Sequence, residues 1–288
     1  MRNKREDLVY AVFIADAVSL GSHWVYDTDK IKENYSGMIK EYRDPMSKFH
    51  QGKKAGDFTH YGEQAYALLK SLNDNQSFDL KRFRDDWIEY LENNEMYMDH
   101  SMTDAIEKFK DSDSLIGSKN VELGGIARSL PVFLVDDLSE KEFLNLVHLT
   151  HNGEIVDQTA EYFYQVLQDV LAGADYKKAL ENHKKSSQFI ETSFNKIGSK
   201  DQIVKNADQR GQGCSIEQGI PIVLDIIWNA DNLLEALTLN IRAGGDSAAR
   251  AMLIAAVMAA DEGLDSIPKK LITDLNKSDS IKKFLGEN

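Results

Sequence analysis

Two short stretches of the 288-residue chain place polar side chains where an apolar helix should begin: Gly56-Asp57-Phe58-Thr59-His60-Tyr61-Gly62-Glu63-Gln64 and Gly244-Gly245-Asp246-Ser247-Ala248-Ala249-Arg250. The start of a helix carries unsatisfied N–H groups and a partial positive charge, so each junction suits a capping side chain or a phosphate oxygen. Thr59, Asp246 and Ser247 are all good capping types. Neither junction completes a capping box, because Gly62 stands three residues beyond Thr59 and Ala249 three beyond Asp246. On spacing alone, capping and ligand binding both stay open.

Other side chains could join them. His23, beside Trp24, is either an acid or base able to work near neutral pH or a hydrogen-bonded ring packed on the tryptophan. Asp16 lies between Ala15 and Ala17, where a buried carboxylate must bond to neighbouring backbone or face a cleft; Asp27 is a further acid in that region. His148 and His151 stand three apart, but no acid is spaced to complete a metal site with them. Arg128, Arg242 and Arg250, with Lys53 and Lys54, are the cations nearest these segments. Arginine suits a bidentate grip on pyrophosphate and, equally, an ordinary salt bridge. A Gly-x-Ser-x-Gly elbow, a Gly-x-x-x-x-Gly-Lys phosphate loop and a His-Glu-x-x-His zinc helix are all missing from the sequence.

Helices must position these groups. Ala65, Leu68, Leu69 and Leu72 mark one buried helix face, and the same period recurs from Ile155 to Val170, from Ile216 to Ile227 and from Ala251 to Met258. Strand signals are nearly absent, which predicts an all-α bundle. Alanines crowd the last of these helices and let its neighbours approach closely, as at the centre of a large bundle. Gly, Asn, Asp and Ser predict loops near 36–57, 73–79, 111–125, 195–214 and 243–247, and a solvated helix and loop from Tyr176 to Lys205. With no long linker and no fixed repeat, residues 1–288 read as one domain.

Composition narrows the function. Lys and Arg total 34 against 47 Asp and Glu, a net charge of −13, which disfavours nucleic acid as a partner. The single cysteine, Cys214, rules out an internal disulfide and fits a reducing compartment. Arg2, Lys4 and Arg5 before an apolar run imitate a signal peptide, but Glu6, Asp7 and Asp16 interrupt it. No window reaches 18 apolar residues, so no membrane span is expected and the location reads as cytoplasmic.

Taken in order, the segments resemble the ADP-ribosylglycohydrolase family over nearly the whole chain. The first junction is similar to that family's Thr-Asp-Asp-Thr element and the second to its Gly-Gly-Asp-Thr-Asp-Thr element. The stretch Ala11 to Asp27 resembles its opening helix and substrate loop, Glu122 to Pro131 its glycine-rich turn, Leu149-Thr150-His151 its central Thr-His segment, and Ile220 to Leu224 its proline-containing helix. The resemblance implies a compact, orthogonal multi-helix bundle. It also implies hydrolysis of a glycosidic bond to ADP-ribose or a related nucleotide sugar, at a cleft holding two magnesium ions.

The departures fall on the metal elements. His60 and Tyr61 replace two acids, and Ala248 replaces a third. A two-magnesium site is therefore not expected; one divalent ion, Mg, Mn or Zn, could use Thr59, His60 and Asp246. The resemblance assigns catalysis to Asp246, His60, His23 and Asp16. It assigns substrate binding to Thr59, Tyr61, Gly124, Gly125, Arg128, His151, Ser247 and Arg250. The expected partner is a small-molecule or ADP-ribosylated substrate. The pattern is closest to a branch that includes the J-type lens crystallins, so a catalytically silent binding or structural protein is the alternative.

Overall fold

The computed structural model describes residues 2–75, 77–110, 112 and 114–286. Among them the chain forms sixteen α-helices and three short 3-10 turns, and its only β pairing is two isolated bridges, Val25 with Gly245 and Glu122 with Ser215. The expected all-α bundle is what forms. No described helix is long and apolar enough to cross a membrane.

Two helices make the centre. Lys4–Leu20 starts on a complete capping box between Asn3 and Glu6, and every residue from Leu8 to Leu20 is buried. Ser247–Glu262 is buried from Ser247 to Ala260. A helix that is apolar on all sides has no solvent face and must be surrounded, and the alanines of Ser247–Glu262 let the two axes lie close. The more amphipathic helices His60–Asn75, Glu154–Leu171, Ile216–Asn229 and Leu233–Ala243 pack around this pair and bury the predicted faces.

Two expectations are corrected. The predicted loop at 195–214 contains a helix, Ile203–Arg210, anchored by buried Ile203 and Ala207. The stretch from Tyr176 forms two short helices, Tyr176–Asn182 and Gln188–Phe194, and is not simply a solvated face: Tyr176, Ala179, Leu180 and Ile190 are buried. Capping side chains start both, Asp175 accepting from the Lys178 N–H and Ser187 from the Ile190 N–H. Of the predicted loops at 73–79 and 111–125, residues 76, 111 and 113 lie outside the described residues.

Candidate functional site

The two junctions meet in space, and the loop after Lys4–Leu20 joins them. Trp24 is the one described non-glycine residue with a positive φ, 59°, a conformation that costs a bulky residue on the order of 1–3 kcal/mol. It is fixed from both sides: the Trp24 N–H donates to the Gly245 carbonyl at 2.8 Å, and the Gly245 N–H to the Val25 carbonyl at 2.7 Å. Gly245 has φ 69°, and a Cβ there would stand 2.1 Å from the Gln212 carbonyl oxygen. Only glycine allows the turn that carries Asp246 to the head of Ser247–Glu262.

Asp246 does not cap that helix. Its first-turn donor, the Ala248 N–H, is taken by His23 Nδ1 at 3.3 Å, which leaves the proton on Nε2. The Asp246 carboxylate instead accepts through Oδ2 from Trp24 Nε1 at 3.2 Å and from the Tyr61 hydroxyl at 3.1 Å. Its Oδ1 is buried and unpartnered. Burial pushes the Asp246 carboxyl above the usual carboxylate range, against the pull of His60, Arg250, Trp24 and Tyr61. His23 Nδ1 lies 3.9 Å from Asp246 Oδ1, yet this is no ion pair. Burial, together with His50, His60 and Arg250, holds His23 well below the ordinary histidine range, so its ring is neutral.

Asp16 is the cap of the other junction. Its carboxylate accepts from the Thr59 N–H at 2.8 Å, the Thr59 hydroxyl at 2.5 Å and the Gly62 N–H at 3.1 Å. Thr59 Oγ1 in turn accepts from the Tyr61 N–H at 3.2 Å. Burial raises Asp16 to about 6, although the Thr59 bonds and His60 oppose it. Of its two alternatives, neighbouring backbone or cleft, backbone at the start of His60–Asn75 takes this acid.

Between these carboxylates lies a stack of rings. The His23 and Trp24 centroids are 4.5 Å apart, Trp24 and His50 5.0 Å, Trp24 and His60 5.2 Å, and His60 and Tyr61 3.9 Å. His50 is also pushed down, to about 3, by burial and by His60 and Lys53. Phe49 and Tyr97 meet Trp24 edge-on at 5.3 and 4.9 Å and reach solvent with exposures of 47% and 36%. They wall a groove of about 590 Å³ that also reaches Lys48, His50, Lys53 and His60, within the usual size of a small-molecule site.

The remaining assigned residues divide. Arg128 and Arg250 are sealed in the core. Arg250 donates to Asn240 Oδ1 and to the Gln212 and Gly244 carbonyls, and Arg128 to Thr150 Oγ1 and the Leu146 and Val147 carbonyls. Gly124 and Gly125 serve close approach: a Cβ on Gly124 would come within 2.5 Å of the Tyr61 ring, and one on Gly125 within 2.8 Å of His151. His151 bonds Ser101 Oγ at 3.1 Å and Thr150 Oγ1 at 2.9 Å, and its Nε2 lies 3.7 Å from Glu122. His148 turns away to Asp157 at 2.6 Å. Ser247 is fully buried, with its hydroxyl unpartnered.

Asp99 and Glu122, like His50, Phe49 and Tyr97 above, were not singled out from sequence. Asp99 Oδ2 lies 3.3 Å from His60 Nε2 without hydrogen-bond alignment. Burial works to raise Asp99, but His60, the Met102 N–H and His151 outweigh it, so its carboxyl sits below the ordinary range. Glu122 is held low by His151 and accepts from the Cys214 thiol at 3.0 Å, while burial and Glu122 drive that thiol far up. Asp99 had a readable signal. It heads His100–Lys110 and accepts from the Met102 N–H at 2.7 Å, the same polar-before-helix pattern as the two junctions.

The donors do not fit the paired magnesium ions that the resemblance implies. Thr59 Oγ1 is committed to Asp16 and the Tyr61 N–H, His60 faces Asp99, and the Tyr61 phenol takes an Asp246 oxygen. Among the described residues no three His, Cys, Asp or Glu side chains are arranged to hold a metal ion.

A sequence model of the ADP-ribosylglycohydrolase family matches residues 2–287. Crystallin J1A of Tripedalia cystophora is 23% identical over 313 aligned residues, covering 98% of this chain and 95% of the crystallin. Crystallin J1B of the same animal is 23% identical over 317, covering 100% and 96%. A solved structure described as an ADP-ribosylglycohydrolase-related protein complex superposes with a TM-score of 0.78 at 16% identity, over 98% of this chain and 96% of that one. At that identity the likeness is one of fold.

Proposed function

This chain belongs to the ADP-ribosylglycohydrolase family, and from that premise we propose that it hydrolyses a glycosidic bond to ADP-ribose or a related ribosyl donor without a paired-magnesium centre. Asp246 is the residue that would orient water and take its proton. One observation carries the reading: Asp246 is 2% exposed, yet its Oδ1 has no partner, and it sits among imidazole nitrogens of His23, His50 and His60 that are equally unpartnered. Each buried polar atom left unmade costs roughly 1–3 kcal/mol. A scaffold with no ligand to serve loses that stability for nothing, whereas a site gains reacting groups already stripped of water.

The experiment is turnover by metal-stripped protein on ADP-ribosylated arginine, ADP-ribosylated serine and small ribosyl conjugates, repeated with Mg, Mn and Zn. Release of the ribosyl product that survives chelation and drops at least a hundredfold in Asp246→Asn supports the reading. Turnover strictly dependent on added metal refutes the metal-free part. The names of the two curated relatives favour a second reading, a silent structural protein; no turnover in any condition would establish it over the first.

A further inference from the structure

We propose that the aglycone this cleft accepts is a flat ring that carries positive charge while bonded to ribose, making its substrates N-ribosides of the pyridinium type. The proposal rests on the hydrolase reading above and names the acceptor side of the same site. Three carboxylates surround Tyr61. Asp246 accepts from its hydroxyl, Asp99 lies against the adjoining His60, and Glu122 lies against His151, whose ring packs on Gly125 beside the Tyr61 face. The arginines nearest them, Arg128 and Arg250, are sealed in the core and bond backbone carbonyls there, with Arg128 Nη1 left unpartnered. Lys53, on the groove wall, is bound to Glu63 at 2.6 Å.

Trp24, Phe49 and Tyr97 cluster with centroids 4.9 to 5.9 Å apart; Trp24 Nε1 donates to Asp246, and the Tyr97 ring lies 5.5 Å from the His60 ring that meets Asp99. Rings close to carboxylates attract a flat cation by stacking, cation–π attraction and Coulomb forces together. The lysines of the groove are Lys53, held by Glu63, and Lys48, 5.6 Å over the Phe49 ring.

The chemistry agrees with what the site lacks. When the C1′–N bond of a cationic N-riboside breaks, the bonding pair goes to the ring nitrogen and the base leaves neutral. The leaving group therefore needs neither a proton nor a Lewis acid. Positive charge moves to the ribosyl C1′, where nearby carboxylates stabilise it. Water adds its oxygen to C1′ and gives its proton to Asp246 Oδ1. An aglycone that leaves as an amine or alcohol would require an acid, and neutral His23, its Nδ1 lone pair held by the Ala248 N–H, is not one.

Binding of 1-methylnicotinamide, nicotinamide and ADP-ribose, followed by calorimetry and tryptophan fluorescence at low and high salt, separates the cases. The first two share a ring and differ in charge. We expect the cation to bind at least tenfold tighter than nicotinamide. That ratio should shrink as salt rises and fall toward one in Asp99→Asn, or in Glu122→Gln if Asp99→Asn does not fold. Equal binding of the two rings, or tighter binding of ADP-ribose than of 1-methylnicotinamide, overturns the proposal. Nicotinamide riboside then tests the chemistry. Cation-selective binding without nicotinamide release sinks the hydrolase reading and leaves cation recognition standing. Hydrolysis of ADP-ribosyl conjugates without cation selectivity does the reverse.

Discussion

Gly245→Ala probes the joint that assembles the site. At φ 69° an alanine sits in the left-handed region, at a cost of roughly 1–2 kcal/mol. Its Cβ would also lie 2.1 Å from the Gln212 carbonyl oxygen and 2.4 Å from Gln212 Cβ. Neither can yield freely, because that carbonyl accepts from the Asp246 N–H at 2.8 Å and the Gln212 amide donates to the Ala243 carbonyl at 2.7 Å. Forcing such a contact adds about 1–3 kcal/mol, for a total of about 2–5 kcal/mol. Gly52→Ala is the control: φ is 85°, but nothing lies within 4 Å of the added carbon, so only the backbone term of roughly 1–2 kcal/mol applies. At about 2.1 cal/mol/K per residue the melting entropy is near 0.6 kcal/mol/K, so Gly245→Ala should lower Tm by about 3–8 °C. Urea and thermal unfolding of both variants measure this. If Gly245→Ala destabilises no more than Gly52→Ala, the close packing on Gln212 is wrong, and with it the stated reason that Asp246 is presented uncapped.

Removing the Tyr61 hydroxyl in Tyr61→Phe strips one donor from a buried carboxylate and should cost about 1–3 kcal/mol at pH 7; a loss below 0.5 kcal/mol by urea titration (roughly the noise of a surface change) would mean that the bond does not form in solution. Because the folded pKa of His50 is depressed to about 3, the unfolded chain binds more protons below pH 6.5, so this residue's contribution to stability is full above that pH and is lost as pH falls. Between pH 7.5 and 5 the wild type should lose about 2 kcal/mol more than His50→Gln, and parallel losses in the two proteins would show that His50 protonates freely. The Cys214 thiol, driven up by burial and Glu122, should react with a neutral disulfide reagent at pH 8 at less than a tenth of the rate of a free thiol, and faster in Glu122→Gln; reaction at the free-thiol rate contradicts the Glu122 contact. For metals, His60→Asp with Ala248→Asp should bind Mn no better than wild type by calorimetry, and adding Tyr61→Asp should create binding, because the phenol otherwise holds Asp246 Oδ2; tight binding by the double variant would refute that role for Tyr61.

How far the sequence alone reaches can be seen residue by residue. The core helices were readable because an apolar face at the helical period has one solution, burial, and Ala251, Ile254, Ala255 and Met258 are all buried. Ile203–Arg210 was not, since a short polar helix held by only two buried side chains carries almost no period. The junctions were visible as glycines and polar residues before apolar runs, but their roles were not. Thr59 and Asp246 look alike in sequence; one caps and one does not. The difference arises because His23 reaches the head of the second helix from 225 residues away. Asp16 was recognised as needing a partner, yet nothing local says that its partners are Thr59 and Gly62. The acids Asp99 and Glu122 join the site only through His60 and His151, contacts made by tertiary packing.

That same long-range wiring ties positions 60, 61 and 248 into one chemical unit with Asp246. Asp246 keeps its place because Gly244 and Gly245 turn the chain there, but a buried carboxylate needs donors. Tyr61 and Trp24 supply them. The Ala248 N–H at the first turn is taken by His23; burial and the nearby His50, His60 and Arg250 keep that ring neutral beside Asp246. His60 then has no charged oxygen of its own junction to meet and lies instead against Asp99. Tyr61, Trp24 and His23 thus satisfy groups at both junctions, while Asp246 Oδ1 stays without a partner. Under the proposed function that orphan oxygen is where the attacking water would sit, so Asp246→Asn should abolish turnover while leaving the Trp24 and Tyr61 contacts to hold the fold.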